Sequence, residues 1–244
     1  MLPLRVLLLP ALLLPLAAIP AAADQISWTG TLGIVDTDSG TSIFSGLAPG
    51  TALSGTSSYD TVCDTSPSGN CFPDTMPVPG ELDYFLSGRP GSLQAGSLSL
   101  TGADTPDGRV TIANDLVITA GDLSFLAALG LTGLPVTAGS LVDGWSVASV
   151  GTLANGNVVE FTLDLFSVDA TLFSDLSYQG TPPPPGNRDV VLLNLTEEDS
   201  AGNLLYEGVG VATISAIVVP EPGTMALLLA GLAGTVAGRT RRRA

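Results

Sequence analysis

The sequence predicts an all-β protein: a single antiparallel β-sandwich or jelly-roll-like domain over residues 24–218, with one short helix near 122–131. Three observations carry this. Apolar side chains alternate with polar ones over several stretches, the period of a half-buried strand. Clusters of Gly, Asn, Asp and Ser recur between those stretches at roughly ten-residue spacing, as in antiparallel sandwiches. The stretch as a whole is rich in Gly, Ser, Thr, Asp and Val and poor in helix formers.

Taken in order, Ile26, Trp28, Leu32 and Ile34 open the alternation. Leu82–Leu86, Leu93–Thr101, Val110–Thr119 and Leu141–Val150 follow as shorter candidates. Val159, Phe161, Leu163 and Leu165 alternate with Glu160, Thr162 and Asp164. Thr171–Tyr178 and Val190–Thr196 are further candidates, and the run from Gly208 to Ala216 alternates again. Turns are expected at Asp36–Gly40, Asp104–Gly108, Asn155–Asn157 and Ser200–Asn203, whose residue types tolerate positive φ or form Asx turns. Asn155-Gly156 between two apolar stretches fits a hairpin. The helix is expected from Asp122 or Ser124 as N-cap to Gly130. Four consecutive prolines, 182–185, exclude an interior strand there and fit a stiff loop or a polyproline recognition site.

The two ends differ from this middle. Residues 1–23 place one Arg before an apolar run and then Ala21-Ala22-Ala23 before Asp24. This is the layout of a secretory signal peptide with an A-x-A site, and it predicts a mature N-terminus at Asp24. An uncleaved anchor is the alternative, though Pro10, Pro15 and Pro20 each remove a helix hydrogen bond. At the other end, Val219-Pro220-Glu221-Pro222 is a rigid extended tetrapeptide. An apolar run from Thr224 to Gly238 follows, and then Arg239, Arg241, Arg242 and Arg243. As a helix the apolar run rises about 22 Å, short of the roughly 30 Å hydrocarbon core. The Arg cluster belongs on the cytoplasmic side.

These three parts, in this order at the extreme C-terminus, resemble a PEP-CTERM sorting domain: 219–222 as motif, then a transmembrane helix, then a basic tail. The resemblance implies processing by an exosortase, with 219–222 as substrate. It implies transient residence in the inner membrane, followed by the cell surface or an extracellular matrix. It further implies a Gram-negative host that makes exopolysaccharide or biofilm matrix. A plain tail anchor behind a Pro-containing linker is the alternative. The domain limits expected are therefore 1–23, 24–218 and 219–244.

Charge and composition narrow the chemistry. The chain of 244 residues has a net charge of −15, and its eight basic residues are all Arg. Residues 24–219 carry three Arg against 22 Asp and Glu, a net −19. Such a surface repels phosphate backbones, so no nucleic-acid partner is expected. With no His and no Lys, Ser-His-Asp triads, Schiff bases and the usual zinc sites are excluded. Cys63 and Cys71, in an exported chain, are expected to form a disulfide; a metal or redox pair would need further ligands.

What remains is oxygen chemistry. Asp36 and Asp38, and Asp104 and Asp107, are candidate calcium ligands, with metal-free Asx turns as the alternative. No other cofactor is expected. Glu81/Asp83 and Glu160/Asp164 would share strand faces and could serve a carboxylate-based glycan hydrolase or lyase. Trp28 and Trp145 could stack on sugars or fill the core. Asn194-Leu195-Thr196 matches a glycosylation sequon inside an expected strand. The sequence points to a non-enzymatic surface or matrix protein with a structural, adhesive or exopolysaccharide-associated role. A calcium-dependent carbohydrate-binding module and a glycan-cleaving enzyme are the alternatives.

Overall fold

The computed structural model describes residues 24–67, 69–75, 79–168, 170–183 and 190–218. Residues 1–23, the expected signal segment with Ala21 and Ala23, lie outside the described residues. So do the tetrapeptide 219–222, the apolar run 224–238, the Arg cluster, and Pro184 and Pro185.

Alternation produces strands wherever one face can be buried. The strands are β1 (Asp24–Asp38), β2 (Ala52–Tyr59), β3 (Cys71–Pro73), β4 (Glu81–Leu86), β5 (Ser92–Ala95) and β6 (Leu98–Leu100). They continue with β7 (Asp107–Val117), β8 (Leu141–Thr152), β9 (Val158–Ser167), β10 (Val190–Glu198) and β11 (Leu204–Val218). One helix, α1 (Ala120–Ala128), interrupts them. All strand pairs are antiparallel, in the order β3-β4-β7-β8-β9-β10-β11-β1-β2-β5-β6. The antiparallel all-β architecture is as expected. The two layers of the sandwich are halves of one continuous sheet, curled until β2 packs across β7 and β8.

Between those halves lies the core. Trp28 and Tyr59 come from one half, and Trp145 and Phe161 from the other. Tyr59 meets Trp145 edge-on at 5.5 Å between ring centroids, and Trp28 meets Phe161 at 6.1 Å. Both tryptophans are thus core residues, buried almost completely. Both indoles and a buried carboxylate find hydrogen-bond partners inside. Trp28 Nε1 donates to Ser57 Oγ and Trp145 Nε1 to the Gln179 carbonyl. Buried Glu197 accepts from Ser42 Oγ, Ile43 N and Asn157 Nδ2, which pins the loop after β1 to one rim.

The end of β2 is tied to the far half of the sheet by a polar knot. Asp60 accepts from Arg89 Nε at 2.6 Å and Asn70 Nδ2 at 2.7 Å, and its carbonyl accepts from Tyr178 Oη at 2.5 Å. Cys63 and Cys71 form the expected disulfide in the loop that leads into β3.

Several elements depart from expectation. The Leu93–Thr101 stretch is a tight hairpin, β5 and β6, folded about Gly96 at φ 59°. Strand β1 runs on through Asp36 to Asp38, so the turn begins later. Thr119, rather than Asp122 or Ser124, caps α1: its hydroxyl accepts from Asp122 N while the Asp122 carboxylate accepts from Thr119 N, a reciprocal capping box. Residues Thr171–Tyr178 form no strand. Their apolar side chains pack on the core from a loop, held by the Phe173 N bond to buried Asp143 Oδ2. The Asn155–Asn157 and Ser200–Asn203 turns close hairpins, with Gly156 and Gly202 at positive φ.

Candidate functional site

On the outer face of β4, β7, β8, β9 and β10, antiparallel register lines up side chains that are far apart in sequence. One row runs Asp83, Thr111, Ser146, Asp164, Leu192. The next runs Phe72, Phe85, Arg109, Ala148, Thr162, Asn194, from β3 to β10. Each residue is directly opposite the next, close enough for cross-strand pairing.

Arg109 is the centre of the polar part. Its Nη2 lies 2.5 Å from Glu160 Oε1 and its Nε 3.7 Å from Asp83 Oδ2. Thr162 Oγ1 donates to the same Glu160 oxygen at 2.8 Å, and Thr111 Oγ1 donates to Asp83 Oδ1 at 2.5 Å. Beside them Asp164 accepts from Asn194 Nδ2, so the sequon Asn is engaged within the ladder. Burial is the largest influence on Asp164 and pushes its carboxyl up to about 6. Neighbouring Glu160 adds to the rise, while Ser146, Arg109 and Asn194 oppose it. The carboxyl therefore carries a proton in mildly acidic conditions.

Two features flank this ladder. On the β3 and β4 side, Phe72 and Phe85 are register partners and both about half exposed, at 47% and 45%. On the other side, α1 and the loop after it cover Val142, Phe166 and Leu192 and leave an apolar cavity of about 300 Å³.

The structure brings together Asp83, Glu160 and Asp164, from two of the expected carboxylate pairs. Arg109, Phe72 and Phe85, which organise the site, carry no local motif; only the strand register reveals them. The calcium candidates are not brought together. Asp38 accepts from Gly40 N and Ser45 Oγ, Asp104 from Thr101 N and Oγ1, and Asp107 from Gly88 N. These bonds hold the Asp38 and Asp104 carboxyls below the usual range. Asp36 lies exposed near the end of β1. Among the described residues, no three Asp, Glu or Cys stand close enough to hold a metal ion.

The last strand of this acidic antiparallel β domain ends at Val218, next to the Val219-Pro220-Glu221-Pro222 tetrapeptide. Residues 218–243 match the PEP-CTERM protein-sorting motif. That motif marks an exported protein, sorted at the membrane and processed by an exosortase. No curated protein and no solved structure matches the chain.

Proposed function

We propose that the exported domain is a non-catalytic, polysaccharide-associated protein of the cell surface or extracellular matrix, and that it binds through the outer face of β3, β4, β7, β8, β9 and β10. The observation that carries this is the exposed Phe72–Phe85 pair set directly against Arg109 and the polar ladder. Sugars are recognised by an apolar platform for their C–H faces next to fixed hydrogen-bonding groups, and this face offers both. A polyanionic polysaccharide would meet strong repulsion from the acidic body, so a neutral or weakly charged chain is the expected partner.

A non-enzymatic role is supported by how the carboxylates are used. Glu160 and Asp164 leave the same face of one strand, and each is committed to neighbours on that face. A glycan-cleaving pair would need to flank a bond from two sides.

The test is affinity electrophoresis of the exported protein in gels containing polysaccharide from the host's matrix. The double variant Phe72→Ala/Phe85→Ala is expected to lose retardation by roughly tenfold or more, from two stacking contacts of ~1 kcal/mol each. Its melting temperature should be unchanged. Retardation equal to that of the parent would end the reading. Sorting is tested separately: on a blot, Glu221→Ala should remain full length and membrane-bound, while the parent is shortened.

A further inference from the structure

Between Val117 and Leu141 the chain does not turn back tightly. It leaves the sheet for residues 118–140, forms α1, and folds over the outer face at one end of the sheet. The cover reaches as far as β1, where a side chain on Gly33 would come within 2.7 Å of Leu129 Cδ2.

The cover does not pack down. A helix containing Leu123, Phe125 and Leu126 normally buries its apolar stripe, yet no residue of α1 is buried. Beneath it is the cavity of about 300 Å³, floored by Val142, Phe166 and Leu192 and roofed by Phe125, Leu126 and Val136. Among the described residues Asp122 is the one polar residue in its lining, and its Oδ2 accepts from Thr119 N in the cap of α1. A lining so poor in polar groups disfavours sugars and charged groups and favours a slender hydrocarbon.

Position supplies the source. The cavity lies where β8 and β10 begin and β9 ends, the same end of the sheet at which β1 starts and β11 finishes. Five residues, 219–223, separate Val218 from the apolar run that starts at Thr224. Fully extended they reach about 17 Å. While the tail occupies the bilayer, this end of the sheet is held close to the lipid. Val117, Phe125, Leu141 and Val218 are large apolar residues exposed at that end.

We propose that the cavity under α1 is a seat for one alkyl chain of a membrane lipid, with residues 118–140 as its cover. The proposal is independent of polysaccharide binding by the Phe72–Phe85 face.

Photolabelling of the full chain in phosphatidylcholine vesicles tests it. One arm uses phosphatidylcholine with a diazirine on its acyl chain; the other adds a free diazirine-bearing fatty alcohol to vesicles without labelled lipid. Adducts mapped by mass spectrometry are expected in the lipid arm on peptides containing Phe166 and Leu192. Filling the roof with Val136→Trp, or with Leu134→Phe should the first variant fail to fold, is expected to lower those adducts about tenfold. Adducts on 224–238 should be unchanged and show that the chain is inserted. Labelling confined to 6–19 and 224–238, labelling of the cavity by the free alcohol alone, or cavity adducts insensitive to both filled variants would each overturn the proposal. Sorting by the C-terminal motif would stand in every case.

Discussion

Gly55 stands directly opposite Trp28 on the neighbouring strand, and the space its side chain would take is occupied by the indole. A Cβ on Gly55 would lie 2.5 Å from Trp28 Cζ2 and 2.1 Å from the Ser92 carbonyl oxygen. Neither can yield freely, since one atom belongs to a fully buried ring and the other to the backbone of β5. Gly55→Ala is therefore expected to destabilise the domain by about 3 kcal/mol. Chemical denaturation with tryptophan fluorescence measures it; a loss below ~1 kcal/mol would show that β2 and β5 can part without cost.

Asp164 predicts a pH dependence of unusual sign for a carboxylate. Its folded pKa, about 6, lies above the unfolded value of 3.8. Between these values the folded state holds the proton more tightly, so stability falls as pH rises through this window. Asp164→Asn keeps an acceptor for Asn194 and removes the buried charge. It should stabilise the domain at pH 7 by about 1–2 kcal/mol and leave it unchanged near pH 3.5. Melting curves at the two pH values, compared with the parent, decide the matter.

The Cys63–Cys71 bridge closes a short polar loop beside the Asp60 knot. In the chain-entropy view a loop of this size contributes about 2–3 kcal/mol. Reduction, or the double Ser variant, should lower the unfolding free energy by that amount. Because Asn70, the residue before Cys71, holds Asp60, proteolysis should then begin within residues 61–70. A first cut elsewhere would separate the bridge from the knot.

Calcium is expected to leave the melting temperature unchanged. The Asp38 and Asp104 carboxylates already accept bonds from their own turns, and Asp107 accepts from Gly88 N. Those bonds supply the local order that a bound ion would otherwise provide. Differential scanning calorimetry with millimolar calcium and with chelator should give superimposable traces; a calcium-dependent rise would restore the ligand assignment.

The long strands were legible because their alternation is written in large side chains: β9 shows Val159, Phe161, Leu163 and Leu165 inward without a break. β2 was not, because its inward positions include Gly55 and Ser57, made small by the indole they receive. Thr171–Tyr178 misled for the opposite reason. Leu172, Leu176 and Tyr178 fall at even spacing as in a strand, but they and Phe173 pack on the core from a loop whose hydrogen bonds go to Asp143, Tyr84 and Asp60. The candidate face was half legible. Glu160 and Asp164 share a face by simple period, whereas Arg109 reaches them only through the β7–β8–β9 register, 51 residues away in sequence.

The pairing of β1 with β11 has a consequence for how the domain is made. The first and last strands are neighbours in the interior of the sheet, Gln25 opposite Val218. A chain threaded through a membrane from its N-terminus cannot close that seam until its final strand has emerged. The β1–β2 side and the β7–β10 side can form as separate pieces in the meantime, but their shared core stays open to water. Completion thus waits on the longest-range strand pairing among the described residues, the kind that slows folding most. For a chain exported unfolded, the sheet can be completed only once Val218 has crossed, just before the sorting motif, so sorting at the membrane would coincide with the interval in which the domain folds.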